Sequence, residues 1–114
     1  MSNYRTVNLE HGMPAVCEAS NRLNREIKLA KKHKISVLKL IHGFGSSGKG
    51  GKIRLSVRNE VEKMKKQGFI SDIIYGEKFS IFDSTTQTAI KKCSQLSKDS
   101  DLERHNNGVT FLIL

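Results

Sequence analysis

The sequence predicts one α/β domain built on a mixed β-sheet, and three observations predict it. Short apolar segments of strand character alternate with longer segments of helical period, in the order β-α-β-α-β, followed by a shorter helix and a last strand. The length, 114 residues, suits a single core. A content of 37% hydrophobic and 27% charged residues is that of a globular chain rather than a disordered one. Strand–helix–strand order implies parallel strands joined by right-handed crossovers.

The elements follow in order. Thr6–Glu10 is expected as the first strand. Met13–Lys32 carries Val16, Ala19, Leu23, Ile27 and Ala30 on one helical stripe. Pro14 stands near its start, where a missing N–H costs little. The pairs Glu18–Arg22 and Arg22–Glu26 have the spacing that supports an outer helix face. Ser36–Ile41 is apolar on both faces except at Lys39, which predicts an interior strand. A glycine loop, Gly43–Gly51, leads into a second helix over Ile53–Gln67, with Ile53, Val57, Val61 and Met64 as its apolar stripe and Gly68 as its stop. Phe69–Tyr75 is the third strand. Asp83 has the character of an N-cap for a smaller helix over Ser84–Leu96. A polar connection, "SKDSDLERHNNG", leads to the last strand, Val109–Leu114.

Composition excludes several classes. No apolar run approaches the ~20 residues of a membrane span. The N-terminal segment "MSNYRTVNLEHG" has no apolar core, so no signal peptide is expected. Cys17 and Cys93 form neither a disulfide framework nor a metal-ligand spacing, and are expected as reduced thiols in a cytoplasmic protein. The net charge is +9 and unevenly placed. Between Arg22 and Lys66 there are 14 Lys and Arg against Glu26, Glu60 and Glu62, a balance of +11; the remainder of the chain balances at −2. A localised basic field of this kind favours a polyanionic partner.

The stretch "LIHGFGSSGKGGKIR" carries the sharpest motif. From Gly43 it matches the phosphate-binding loop G-x-x-x-x-G-K-[ST] until its last position, where Gly50 stands in place of a hydroxyl residue. Without that hydroxyl the loop lacks its Mg²⁺ ligand, and no free nucleotide is expected as ligand. A glycine loop entering a helix N-terminus still offers unpaired N–H groups and the positive dipole end to a phosphate. Lys49, Lys52, Arg54 and Arg58 add charge along that entry, an arrangement that suits a phosphodiester backbone. In a parallel sheet, ligands bind beyond the carboxyl ends of the strands. Those ends are Glu10–His11–Gly12, His42–Gly43 and Gly76–Glu77, so topology would gather two His, two Glu and the glycine loop at one edge.

The segment "LIHGFGSSGKGGKIRLSVRNEV" resembles the second half of the small MutS-related (Smr) domain family. His42, Gly43 and Gly45 match that family's H-G-x-G turn, Ile53–Val61 matches its basic helix, and "GVTFLIL" is similar to its closing strand. With the element order, the resemblance runs from Thr6 to Leu114, so residues 1–114 are expected as a single Smr-like domain; Gly76–Asn107 is longer than the family pattern. The resemblance implies a two-layer α/β sandwich, β-α-β-α-β-(α)-β with a four-stranded mixed sheet and helices largely on one side, similar to the C-terminal domain of bacterial translation initiation factor three. It also implies nucleic-acid binding, with some members nicking DNA or cleaving RNA. The family's second motif, L-D-x-H on the first strand, is altered here. If Val7 takes the Leu position, Asn8 replaces the Asp, Glu10 takes the His position and His11 falls one residue late. Side chains alternate along a strand, so His11 substitutes only if the strand has ended or bulges there.

Three readings remain open at this point. In an endonuclease, His42 would be general acid or base with Glu10 or His11 as partner, and Gly43, Gly45, Gly48, Lys49, Lys52, Arg54 and Arg58 would hold the phosphate. No cofactor is indicated, although Mg²⁺ is compatible with that chemistry. In a non-catalytic module, RNA, DNA or a ribosome is the partner and no His42–Glu10 pair is needed. A protein-interaction domain with a basic surface is the third class.

Overall fold

The computed structural model describes residues 3–12, 14–43 and 49–114. Its elements are β1 (Tyr4–Asn8), α1 (Val16–Lys32), β2 (Val37–Ile41), α2 (Lys49–Lys66), β3 (Asp72–Tyr75), α3 (Ser84–Lys92) and β4 (Val109–Ile113), with 3₁₀ turns at Gly76–Lys78 and Ser94–Lys98. The four strands form one mixed sheet in the order β1-β2-β4-β3. β1 and β2 are parallel, and β4 runs antiparallel between β2 and β3. β1, β2 and β3 therefore point the same way, and their carboxyl ends share an edge with the start of β4. No helix among the described residues is long and apolar enough to cross a membrane.

The interior strands explain the layering. β2 and β4 are buried along almost their whole length, so both faces of the sheet require cover. On one face, Leu38, Leu40 and Leu112 pack against Ala19, Leu23, Ile27 and Ala30 of α1 and Ile53, Val57 and Val61 of α2. These are the two predicted stripes, except that Val16 is exposed and Met64 only partly buried. On the other face, Val37, Val109, Phe111 and Ile113 meet Phe79, Ala89, Cys93 and Leu96. The Gly76–Asn107 region thus closes the second face. The expected two-layer sandwich holds for α1 and α2 and gains a partial third layer, because Phe111 and its neighbours on β4 would otherwise lie bare to water.

Local signals act largely as expected. Asp83 caps α3, its carboxylate accepting from the Thr86 N–H at 2.9 Å. Gly68 ends α2 with φ +83°. The expected helical pairs of Arg22 are a correction. Its guanidinium donates instead to the main-chain oxygens of Asn8, Leu9 and His11, tying down the end of β1, while Glu26 pairs with Arg5 at 3.0 Å. Gly76 lies where the third strand's exit passes the start of β4. A Cβ there would overlap the Asn106 carbonyl oxygen and crowd Val109. Backbone cannot yield as a flexible side chain can, so Gly76→Ala is expected to cost about 1–3 kcal/mol in urea unfolding; an unchanged midpoint would show that the crossing is loose.

Candidate functional site

The shared strand edge is where the expected site residues meet. β1 ends at Asn8, and residues 9–12 form a turn that brings Glu10 back across the edge. Leu9 still donates to the Ile41 carbonyl at 2.8 Å and is fully buried, so the turn begins flush with β2. Because Glu10 and His11 stand on a turn, strict strand alternation does not fix their directions. Gly43 follows β2 with φ +76°, a conformation that favours glycine, and the Glu10 carboxylate lies directly against its Cα, in the space a side chain would need. The amides of His42 and Gly43 both donate to the Gly108 carbonyl, at 3.0 and 3.1 Å, stitching the turn to the start of β4. Glu10 and the His42–Gly43 turn are therefore neighbours. His11 is exposed, and its structural tie is the bond from Arg22 to its carbonyl.

His42 is fully buried, and both ring nitrogens are occupied. Nδ1 lies 2.9 Å from the Gly43 carbonyl oxygen, an acceptor only, so Nδ1 carries the proton. Nε2 then accepts from the Thr110 hydroxyl at 2.8 Å. Thr110 Oγ1 in turn accepts from Arg58 Nε at 3.2 Å. Burial, with the nearby Arg58 and Arg54 charges, lowers the His42 pKa to about 4 even though the Gly43 bond favours the charged form. The imidazole is neutral at physiological pH.

Arg58 is drawn inward from the helix. It forks onto Glu77 at 2.9 and 2.7 Å, reaches the Asn107 and Val109 carbonyls at 3.3 Å, and its guanidinium stacks 4.2 Å from the Tyr75 ring. The Glu77 carboxyl is held below its ordinary value chiefly by this bond. Arg58 thus organises the edge from beneath, with its donors committed to protein acceptors. Sequence reasoning singled out Arg58 and Glu77 but missed Thr110, the polar residue in "GVTFLIL" that joins them to His42.

Lys52 is exposed and Arg54 half-buried, with the Arg54 charge felt at both His42 and Glu77. Neither makes an ion pair among the described residues. Gly45, Gly48 and the side chain of Lys49 lie outside the described residues. The two acids of α2 are turned inward: Glu60 accepts from the Ser20 hydroxyl and Glu62 from the Tyr75 hydroxyl. Among its described residues, every exposed charged side chain of α2 is a lysine: Lys52, Lys63, Lys65 and Lys66. Of these, Lys65 pairs with Asp72 at 3.0 Å. No three His, Cys, Asp or Glu side chains among the described residues come together as metal ligands. No protein-family model, curated protein or solved structure matches the chain.

Proposed function

We propose that this domain binds the phosphodiester backbone of DNA or RNA at the shared strand edge and along the N-terminal half of α2, as its resemblance to Smr domains implies. The observation that carries the reading is the sorting of charge on α2. Glu60 and Glu62 are taken up by hydrogen bonds to Ser20 and Tyr75, which leaves Lys52 and Arg54 in the N-terminal half without an acidic partner among the described residues. Arg54, whose charge is felt at His42, and the exposed Lys52 two residues before it on the helix are the phosphate contacts of this reading. Glu10 sits beside the Gly43 turn, so its carboxylate works against an approaching phosphate. The binding module is favoured over the nuclease because His42 is buried, neutral and bonded at both nitrogens. A cytoplasmic location, where thiols stay reduced, fits the free Cys17 and Cys93.

The test is fluorescence anisotropy with labelled single- and double-stranded DNA and RNA over a salt series. With Lys52 and Arg54 each engaging a phosphate, affinity is expected to fall roughly 7- to 12-fold between 50 and 200 mM salt. Lys52→Glu with Arg54→Glu should weaken binding at least about tenfold, and Glu10→Gln should tighten it on the order of threefold. Binding that ignores salt and both substitutions would end this reading. Labelled strands should stay intact with Mg²⁺ present; cleavage that disappears in His42→Ala would establish the nuclease instead.

A further inference from the structure

Between the C-terminal halves of α1 and α2 lies an open cleft of about 380 Å³. Small-molecule sites span roughly 300–1,000 Å³. Ile27, buried, and Met64, half-buried, form its floor, and the Phe69 ring, 57% exposed, stands at its end. The way α2 stops fixes that ring. Gly68 takes the left-handed conformation and its amide donates to the Lys65 carbonyl at 3.1 Å. The Phe69 amide reaches back to the Met64 carbonyl at 2.9 Å. A helix-ending turn of this kind sets the second residue beyond the helix against its last turn, here Phe69 beside Met64. One turn before the cleft, the Ser20 hydroxyl donates to Glu60 and joins the two helices.

The charges that line the cleft are all of one sign. Lys28 and Lys31 stand three residues apart, neighbours on one face of α1. Both are exposed and neither makes an ion pair among the described residues. Lys31 Nζ lies 5.5 Å from the centre of the Phe69 ring. The end of α1 favours cations in its last turn, which accounts for Lys31 and Lys32 but not for Lys28, which precedes that turn. The acids on neighbouring elements are engaged away from the cleft: Glu26 with Arg5, Glu60 with Ser20, and Asp72 with Lys65. The remaining polar lining, Asn24 and Gln67, is neutral amide. Two like charges side by side above an apolar floor are relieved by an anion that lies between them.

We propose that this cleft binds a small amphiphilic carboxylate, with its apolar chain laid over Ile27, Met64 and Phe69 and its head group between Lys28 and Lys31. The volume sets the size of the ligand, the apolar floor its body, and the unrelieved lysines the sign of its head. A neutral amphiphile gains from the same floor and nothing from the lysines, and a cationic one is repelled by them. α1 and α2 end just before β2 and β3 begin, so the cleft lies at the opposite edge of the sheet from the Gly43 turn. The site is separate from the backbone-binding edge and does not depend on it.

Laurate is the probe, titrated into isotope-labelled protein below its micelle-forming concentration and followed by NMR. The side-chain amides of Asn24 and Gln67 report directly on the cleft. Their signals should shift together and saturate, with a Kd on the order of 1 mM or tighter. Dodecyltrimethylammonium, with the same chain and the opposite charge, should bind at least about tenfold more weakly. Lys28→Gln with Lys31→Gln should weaken laurate binding roughly three- to tenfold. Asn24→Trp, at an exposed position, fills the cleft with an indole and should weaken it at least about tenfold. Lys52→Glu with Arg54→Glu, which tests the nucleic-acid edge, should leave laurate binding within about twofold. Equal binding of the cationic amphiphile, laurate binding that survives Asn24→Trp, or Asn24 and Gln67 signals that do not move overturns the proposal and leaves the nucleic-acid reading untouched. Self-association of wild type that Phe69→Ala abolishes would assign the cleft to a second copy of the chain and also overturn it.

Discussion

Lys39→Ala is expected to lower stability by about 3–5 kcal/mol, enough to bring a domain of this size close to unfolding at room temperature. Lys39 stands in the middle of an interior strand, 6% exposed, on the face closed by α3. Its ammonium donates to both Asp99 oxygens at 2.9 and 3.1 Å, pairs with Asp101, and lies 5.5 Å from the Phe111 ring centroid. The Tyr4 hydroxyl completes Asp99, and Asn106 donates to Asp101 at 2.9 Å. Burial alone would lower the Lys39 pKa; the two aspartates outweigh it and hold the pKa above its ordinary value. Burial would likewise raise Asp101, and the bond to Lys39 prevails and lowers it. Removing the lysine strands two carboxylates over an aromatic core, and the penalty comes from those uncompensated charges more than from the bond itself.

The sign of the pH effect follows. The depressed Asp101 contributes stability that is present above its unfolded value near 3.8 and is lost as pH falls through its folded pKa. The raised Lys39 contributes below 10.5, a term lost only as pH rises through its folded pKa. In Lys39→Ala the stranded carboxylates gain from protonation, so the deficit relative to wild type should narrow between pH 7 and pH 4. Urea midpoints of both proteins at the two pH values measure this. A difference below about 1 kcal/mol at pH 7 would mean that water reaches the cluster and screens it.

The Lys39 cluster also marks the limit of what the sequence discloses. A lone lysine in "SVLKLI" signalled an interior strand with one polar position, and that strand is interior. Its partners lie 60 residues away in a segment that reads as a polar connection. The element order was legible because the helical stripes recur over several turns, whereas the strands are short apolar runs bounded by polar and glycine residues. Ends were less so. α2 begins at Lys49 rather than Ile53; its first turn contains Gly50 and Gly51, poor helix formers that read as loop in the sequence. The third helix stops at Lys92, and Cys93 turns into a 3₁₀ segment with neither proline nor glycine to announce the break. The gathering of Glu10, His42 and Glu77 at one edge followed from topology alone. The burial of His42 did not, because it depends on Thr110, 68 residues further along the chain.

That burial makes the histidine a built-in acid sensitivity, and the domain is expected to lose about 3 kcal/mol as pH falls from 6.5 to below 4 through His42 alone. The sign is fixed by where the proton goes. In the unfolded chain His42 takes up a proton near pH 6.5, whereas in the fold it resists until about 4, chiefly because burial penalises the charge. Between those values the unfolded state binds more protons, so stability rises with pH there and levels off above 6.5. The hydrogen-bond chain explains why the fold does not adapt. Protonating Nε2 would turn it into a donor facing the Thr110 hydroxyl, which then has to give up its own donation to the ring and accept from Nε2 and Arg58 together. Arg58 cannot swing away without abandoning Glu77 and two carbonyls. His42→Asn removes the titration while keeping a polar side chain. Its urea stability between pH 7 and pH 4.5 should therefore be flatter than that of wild type. Parallel profiles for the two proteins would mean that the ring gains its proton in the fold as easily as in the unfolded chain. His42 would then be accessible at the strand edge, and the case against its acting in catalysis would fall with that result.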